Sequence, residues 1–134
     1  MFLNYLKDEN KENFLKECVH AALINGVFAD EEKNIFAAYC KEMNLDFHLP
    51  DTQEEFSVLI NSVSQNTTLS EKKIFILEIL ALIKSDGTFD EKEVTFMQTL
   101  IDGLNINMSD YDNISMLLDK YILVGKELFT MINA

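Results

Sequence analysis

Sliding the sequence 61 residues along itself lays Asn25-Gly26 on Asp86-Gly87 and brings two five-residue apolar stripes into register without a gap. In the first half the stripes are Phe14, Leu15, Cys18, Val19, Ala22 and, after a turn, Ile35, Phe36, Tyr39, Cys40, Met43. In the second they are Phe75, Ile76, Ile79, Leu80, Ile83 and Phe96, Met97, Leu100, Ile101, Leu104. Identities at the same offset are Lys11/Lys72, Phe14/Phe75, Glu17/Glu78, Gly26/Gly87, Phe28/Phe89, Glu32/Glu93 and Asn44/Asn105. The spacing i, i+1, i+4, i+5, i+8 marks one face of an α-helix. Each repeat therefore reads as helix, tight turn, helix, closed by an Asn and an apolar residue (Leu45, Ile106). Two amphipathic pairs of this kind bury their stripes by packing on each other across a pseudo-twofold.

The rest of the chain is also helical. Asp51-x-x-Glu54 reads as a capping box opening a helix with Phe56, Leu59, Ile60 and Val63 inward. Ser70 is expected to cap the helix from Glu71 to Ser85. Ser109-x-x-Asp112 is expected to open a last helix with Ile114, Leu117, Leu118, Tyr121, Ile122, Gly125, Leu128 and Phe129 on its stripe. No segment reads as a strand, and one Pro with four Gly leaves little to interrupt helices. The expected fold is all-α: a single compact domain over residues 1–134 with about six or seven helices. Repeat one spans about 9–45, repeat two about 70–106 and the C-terminal helix about 109–131.

Composition narrows function. A net charge of −12 and a pI near 4.4 repel phosphate backbones and anionic lipid, so neither nucleic-acid binding nor membrane insertion is expected. Cations and basic protein surfaces are the natural counterparts. No apolar run reaches the roughly 20 residues of a membrane span, and no leader with a basic start is visible, so the expected location is cytoplasmic.

The turns read Asn25-Gly-Val-Phe-Ala-Asp-Glu-Glu32 and Asp86-Gly-Thr-Phe-Asp-Glu-Lys-Glu93. Gly26 and Gly87 suit a left-handed residue after a helix. Phe28 and Phe89 can fasten the turn to the helix pair, and Asp90 with Glu93 fits a capping box. Ala29 stands where Asp90 does in the second half, so Asp30 is expected to cap there. This doubled Asp-Gly-x-apolar turn with a following Glu resembles that of the tellurite-resistance TerB-like family over roughly Lys11 to Ile106, with Asn25 departing from the Asp. The resemblance implies an all-helical, non-enzymatic bacterial module associated with tellurite and stress responses, in which acidic residues near the turns can bind a divalent cation.

Asp86, Asp90 and Glu93 are the candidate metal ligands, with Asn25, Asp30 and Glu32 from the first half; their oxygens suit calcium, magnesium or manganese. Asp86 follows a helix C-terminus, where the dipole disfavours an anion and a cation would relieve it. The competing reading is turn and cap chemistry alone. The loop lacks the ligand spacing of an EF-hand. Glu17-x-x-His20 has the spacing of a di-iron helix, but the repeat equivalent of His20 is Ala81, so it is set aside. Cys18 and Cys40 pair with Ile79 and Ile101 in the repeat and read as core. His48 reads as a loop residue. Without a nucleophile–base set or a phosphate loop, no enzyme is expected. The remaining expectations are a metal-free interaction or scaffold role with an unknown, basic partner, and a homodimer through the C-terminal helix. Leu123, Met116 and Met131 lie off the main stripe of that helix; the favoured expectation is that it sits deep between the repeats, the alternative a dimer or partner contact.

Overall fold

The computed structural model describes residues 1–25, 29–50, 54–84 and 89–134, and within these the side chains of 25 and 29–32 are left aside. The described residues form a short 3-10 turn, Leu3–Tyr5, and six α-helices without a strand: α1 (Asp8–Asn25), α2 (Ala29–Glu42), α3 (Phe56–Asn66), α4 (Leu69–Ile83), α5 (Glu91–Gly103) and α6 (Met108–Ile132). The all-α architecture is as the periodicity requires. Every member of the α1, α4 and α5 stripes is buried, as are Phe36, Cys40 and Met43 of α2. Cys18 and Cys40 are free thiols inside the core.

The repeats meet along α1 and α4. Asn10 Nδ2 donates to Glu71 Oε2 at 2.9 Å, and the Phe14 and Phe75 rings meet edge to face at 5.5 Å between centroids. Each pair is a residue and its own equivalent 61 positions on, and the two contacts are one turn apart. That requires α1 and α4 to run side by side in the same direction, equivalent faces together. Phe75 and Phe14 are fully buried there, where an edge-to-face pair adds about 0.5–1.5 kcal/mol beyond its area.

The paired Asn residues have a shared reason. Asn44 and Asn105 carry φ of 58° and 60°, the left-handed conformation that ends a helix and that Asn tolerates better than most residues. Leu45 N donates to Cys40 O at 2.8 Å and Ile106 N to Ile101 O at 3.1 Å, while Asn44 N and Asn105 N reach Lys41 O and Asp102 O. This is the six-to-one and five-to-two pairing of a Schellman ending, with Leu45 and Ile106 as the apolar residue that closes it.

Four expectations about helix ends are corrected. α4 is capped by Thr68, not Ser70: Thr68 Oγ1 accepts from Glu71 N, and Glu71 Oε1 accepts from Thr68 N. Glu71 can answer Thr68 from the third helical position, whereas Ser70 has Lys73 there and no acceptor. α6 opens at Met108 with Asn107 Oδ1 accepting from Asp110 N at 2.7 Å, ahead of Ser109, because buried Ile106 fixes the chain just before it. α3 opens only at Phe56, with Glu55 at the cap position and no side-chain cap bond; Asp51 lies outside the described residues. α2 opens at Ala29, which puts Asp30 inside the first turn and not at the cap.

The largest correction is α6. It does not lie between the repeats. It packs along α4 through Ile114, Leu118 and Ile122, of which only Leu118 is fully buried. From Leu123 onward every residue is exposed, so about 15 Å of helix projects beyond the body.

Candidate functional site

The acidic turn, built from its residues, is a helix cap. Asp90 Oδ1 accepts from Glu93 N at 2.9 Å and Glu93 Oε1 accepts from Asp90 N at 3.0 Å, which satisfies two of the N–H groups that α5 leaves unpaired at its start. Glu93 is buried and Asp90 exposed. Phe89 packs against the core and lies 5.3 Å under Lys84 Nζ. Asp86 lies outside the described residues, as do Gly26, Phe28 and Gly87; so do the side chains of Asn25, Asp30 and Glu32. Among the described residues no three His, Cys, Asp or Glu side chains converge on a point that could hold an ion.

Four further carboxylates are placed by the fold in ways the sequence did not announce. Glu42 and Glu78 hold the N-terminal segment: Leu3 N donates to Glu42 Oε2 at 2.7 Å and Phe2 N to Glu78 Oε1 at 2.8 Å. Glu17, the repeat equivalent of Glu78, is fully buried, and neither of its carboxyl oxygens has a hydrogen-bond partner among the described residues. Burial, with Glu54 nearby adding to it, pushes the Glu17 carboxyl up to about 8, so it is protonated at neutral pH. Glu71 takes the opposite course. Burial raises it, but N–H donors from Lys7, Asn10 and Thr68 outweigh that and hold it below the ordinary carboxylate value. His20 lies against Phe56, which stacks on Phe96, and His48 is a loop residue bonded to Glu12 at 2.5 Å.

Comparison with protein-family models, curated proteins and solved structures finds no match for this chain. The chemistry of the surface therefore carries the reading.

That surface is dominated by α6. Leu128 is 58% exposed, Phe129 69%, Met131 78% and Ile132 79%, whereas the other helices turn their stripes inward. Beside the root of α6 runs an apolar groove of about 270 Å³, whose lining includes Phe2, Leu77, Ile114, Leu117 and Tyr121. Groove and overhang are continuous through Tyr121, itself 62% exposed. A monomeric soluble protein seldom leaves a contiguous apolar patch larger than a few hundred Å² uncovered. The stripe residues Leu117, Tyr121, Leu128 and Phe129 were expected in the core; they form this surface instead, joined by Leu123 and Met131.

Proposed function

We propose that this chain is a non-enzymatic helical interaction module that docks a partner helix on the apolar face of α6. The observation that carries the reading is the set of exposed apolar side chains Leu117, Tyr121, Val124, Leu128, Phe129, Met131 and Ile132, on a helix that gives the core only Leu118 as a fully buried residue. An apolar seam inside an acidic surface suits a partner with an apolar stripe and a basic rim: the stripe gives affinity, while the rim speeds encounter and sets orientation. The class agrees with what the turns' resemblance to TerB-like modules implies. For the acidic turn the cap reading has the stronger support, since Asp90 and Glu93 are each engaged with the other's backbone; a cation at Asp86, Asp90 and Glu93 would be an addition to docking, not a replacement for it.

The test compares the wild-type chain with Leu128→Glu in crosslinking capture, identifying the bound proteins by mass. Because Leu128 is exposed, the variant should keep the wild-type circular dichroism spectrum while losing its partner. Recovery of the same proteins by both would sink the reading.

A further inference from the structure

The exposed face of α6 follows a heptad. Ile114, Leu117, Tyr121, Val124, Leu128 and Met131 alternate in steps of three and four, the seam by which two helices wind together. The residues facing the body, Tyr111, Ser115, Leu118 and Ile122, form a neighbouring line that the heptad meets only at its root, where half-buried Ile114 packs on the core; from Leu117 onward the heptad is exposed. Lys120 and Glu127 both occupy the flanking position one residue before Tyr121 and Leu128. Neither is in an ion pair among the described residues.

We propose, resting on the docking role of α6, that its occupant is α6 of a second copy of this chain, running antiparallel. Three observations converge on this arrangement. The first is register. Antiparallel pairing sets Tyr121 against Val124 of the second copy, Leu117 against Leu128 and Ile114 against Met131. In that register Lys120 meets Glu127 of the second copy twice over, by the twofold. A parallel pair would set Lys120 beside Gly125 and Glu127 beside Ile132, with no charge matched. The second is shape. In the antiparallel register the overhang of one copy lies along residues 113–122 of the other, over the groove between α6 and Phe2 and Leu77. This accounts for Phe129 and Ile132, which are apolar yet off the seam: they face the other copy's body. A parallel pair would leave both grooves open. The third is size. Nine large apolar side chains between Met116 and Ile132 are exposed. At on the order of 100 Å² each they offer on the order of 800 Å² per copy, the scale of a stable interface.

The experiment is sedimentation equilibrium with a distance measurement. Wild type should sediment at twice the 15.4 kDa of the chain, and Leu128→Glu at the single-chain mass with an unchanged circular dichroism spectrum. Lys120→Glu should weaken the dimer about tenfold, by setting two like-charge pairs face to face, and adding Glu127→Lys should restore it. A spin label at Thr130→Cys, with Cys18 and Cys40 shielded in the core, should report a separation beyond about 20 Å, since position 130 lies opposite 115 of the second copy. A parallel pair would give about 10 Å. The short distance, or a charge swap without effect, overturns the antiparallel arrangement. Wild type at the single-chain mass overturns the second copy as occupant. If Leu128→Glu then still abolishes capture of another helix, docking on α6 stands alone; if it changes nothing, both readings fall.

Discussion

Replacing Glu17 by Gln removes a titrating proton from the core while keeping the shape of the side chain, and the effect on stability should depend steeply on pH. In the native chain the carboxyl holds its proton up to about pH 8, because burial disfavours the carboxylate and Glu54 adds to that; unfolded, it ionises near 4.5. Between these values the native state binds a proton that the unfolded state has released. Stability is therefore fullest below pH 4.5 and falls as pH rises, by about 1.4 kcal/mol per unit, levelling off above about pH 8. Over the whole window this amounts to about 5 kcal/mol, a large share of a total that is typically about 5–15 kcal/mol. Urea unfolding of wild type and Glu17→Gln, followed by circular dichroism at pH 5, 6, 7 and 8 and constant ionic strength, isolates the group, since every other titration is common to both. At pH 5 the two should be close. The amide should then gain on the carboxyl, reaching an advantage of about 3–4 kcal/mol at pH 8. Parallel curves would show that Glu17 ionises freely in the native state, and the account of its burial would be wrong.

Gly103→Ala should destabilise by about 1–3 kcal/mol despite the better helix propensity of Ala, because an added Cβ would lie 2.1 Å from Ile60 Cγ2 where α5 crosses α3. Ile60→Ala should cost less in that background than in wild type, and thermal melts of the four-member cycle would show it. Asn105→Ala should lose about 1 kcal/mol to its φ of 60° while Asn105→Gly loses nothing; equal losses in denaturant melts would remove the left-handed ending from the explanation. Asp90→Ala should cost about 1 kcal/mol through the cap, equally in chelator and in millimolar calcium. A penalty appearing only with the cation would move this turn from cap to metal site.

What the sequence revealed, and what it hid, follows from the range of each interaction. The stripes are local and repeated, so Phe14 and Phe75, or Leu15 and Ile76, could be assigned to the core by period alone. Thr68 as the cap of α4 was also readable, since Glu71 stands three residues on, but Ser70 competes within the same turn and only the missing acceptor at Lys73 separates them. Capture of the N-terminal segment by Glu42 and Glu78 was not readable: two carboxylates 36 positions apart converge on Phe2 and Leu3 only after folding. For α6 the stripe was present and misassigned. Leu117, Tyr121 and Leu128 recur at helical spacing as a core stripe does, and their exposure follows from where the body ends, which no local pattern records.

The departures from the repeat share one physical origin, which is what covers each half. Over α2 and α4 lies the N-terminal turn; over the equivalent α5 and α1 lies α3. The N-terminal segment presents backbone N–H groups without acceptors of their own, and the helices beneath answer with Glu42 and Glu78. α3 satisfies its backbone internally and asks for no acceptor, only for proximity. At the position of Glu42 the second repeat accordingly carries Gly103, and Ile60 of α3 comes within reach of where its Cβ would be. At the position of Glu78 the first repeat carries Glu17, which keeps the carboxyl but finds no donor among the described residues. The change at Gly103 fits the new neighbour and the retained Glu17 does not, so the cost of burying the Glu17 carboxyl traces to the covering element, not to the repeat. Any residue that α3 can close over, Gln or an apolar side chain of similar volume, should serve position 17 better at pH 8 than the Glu now there.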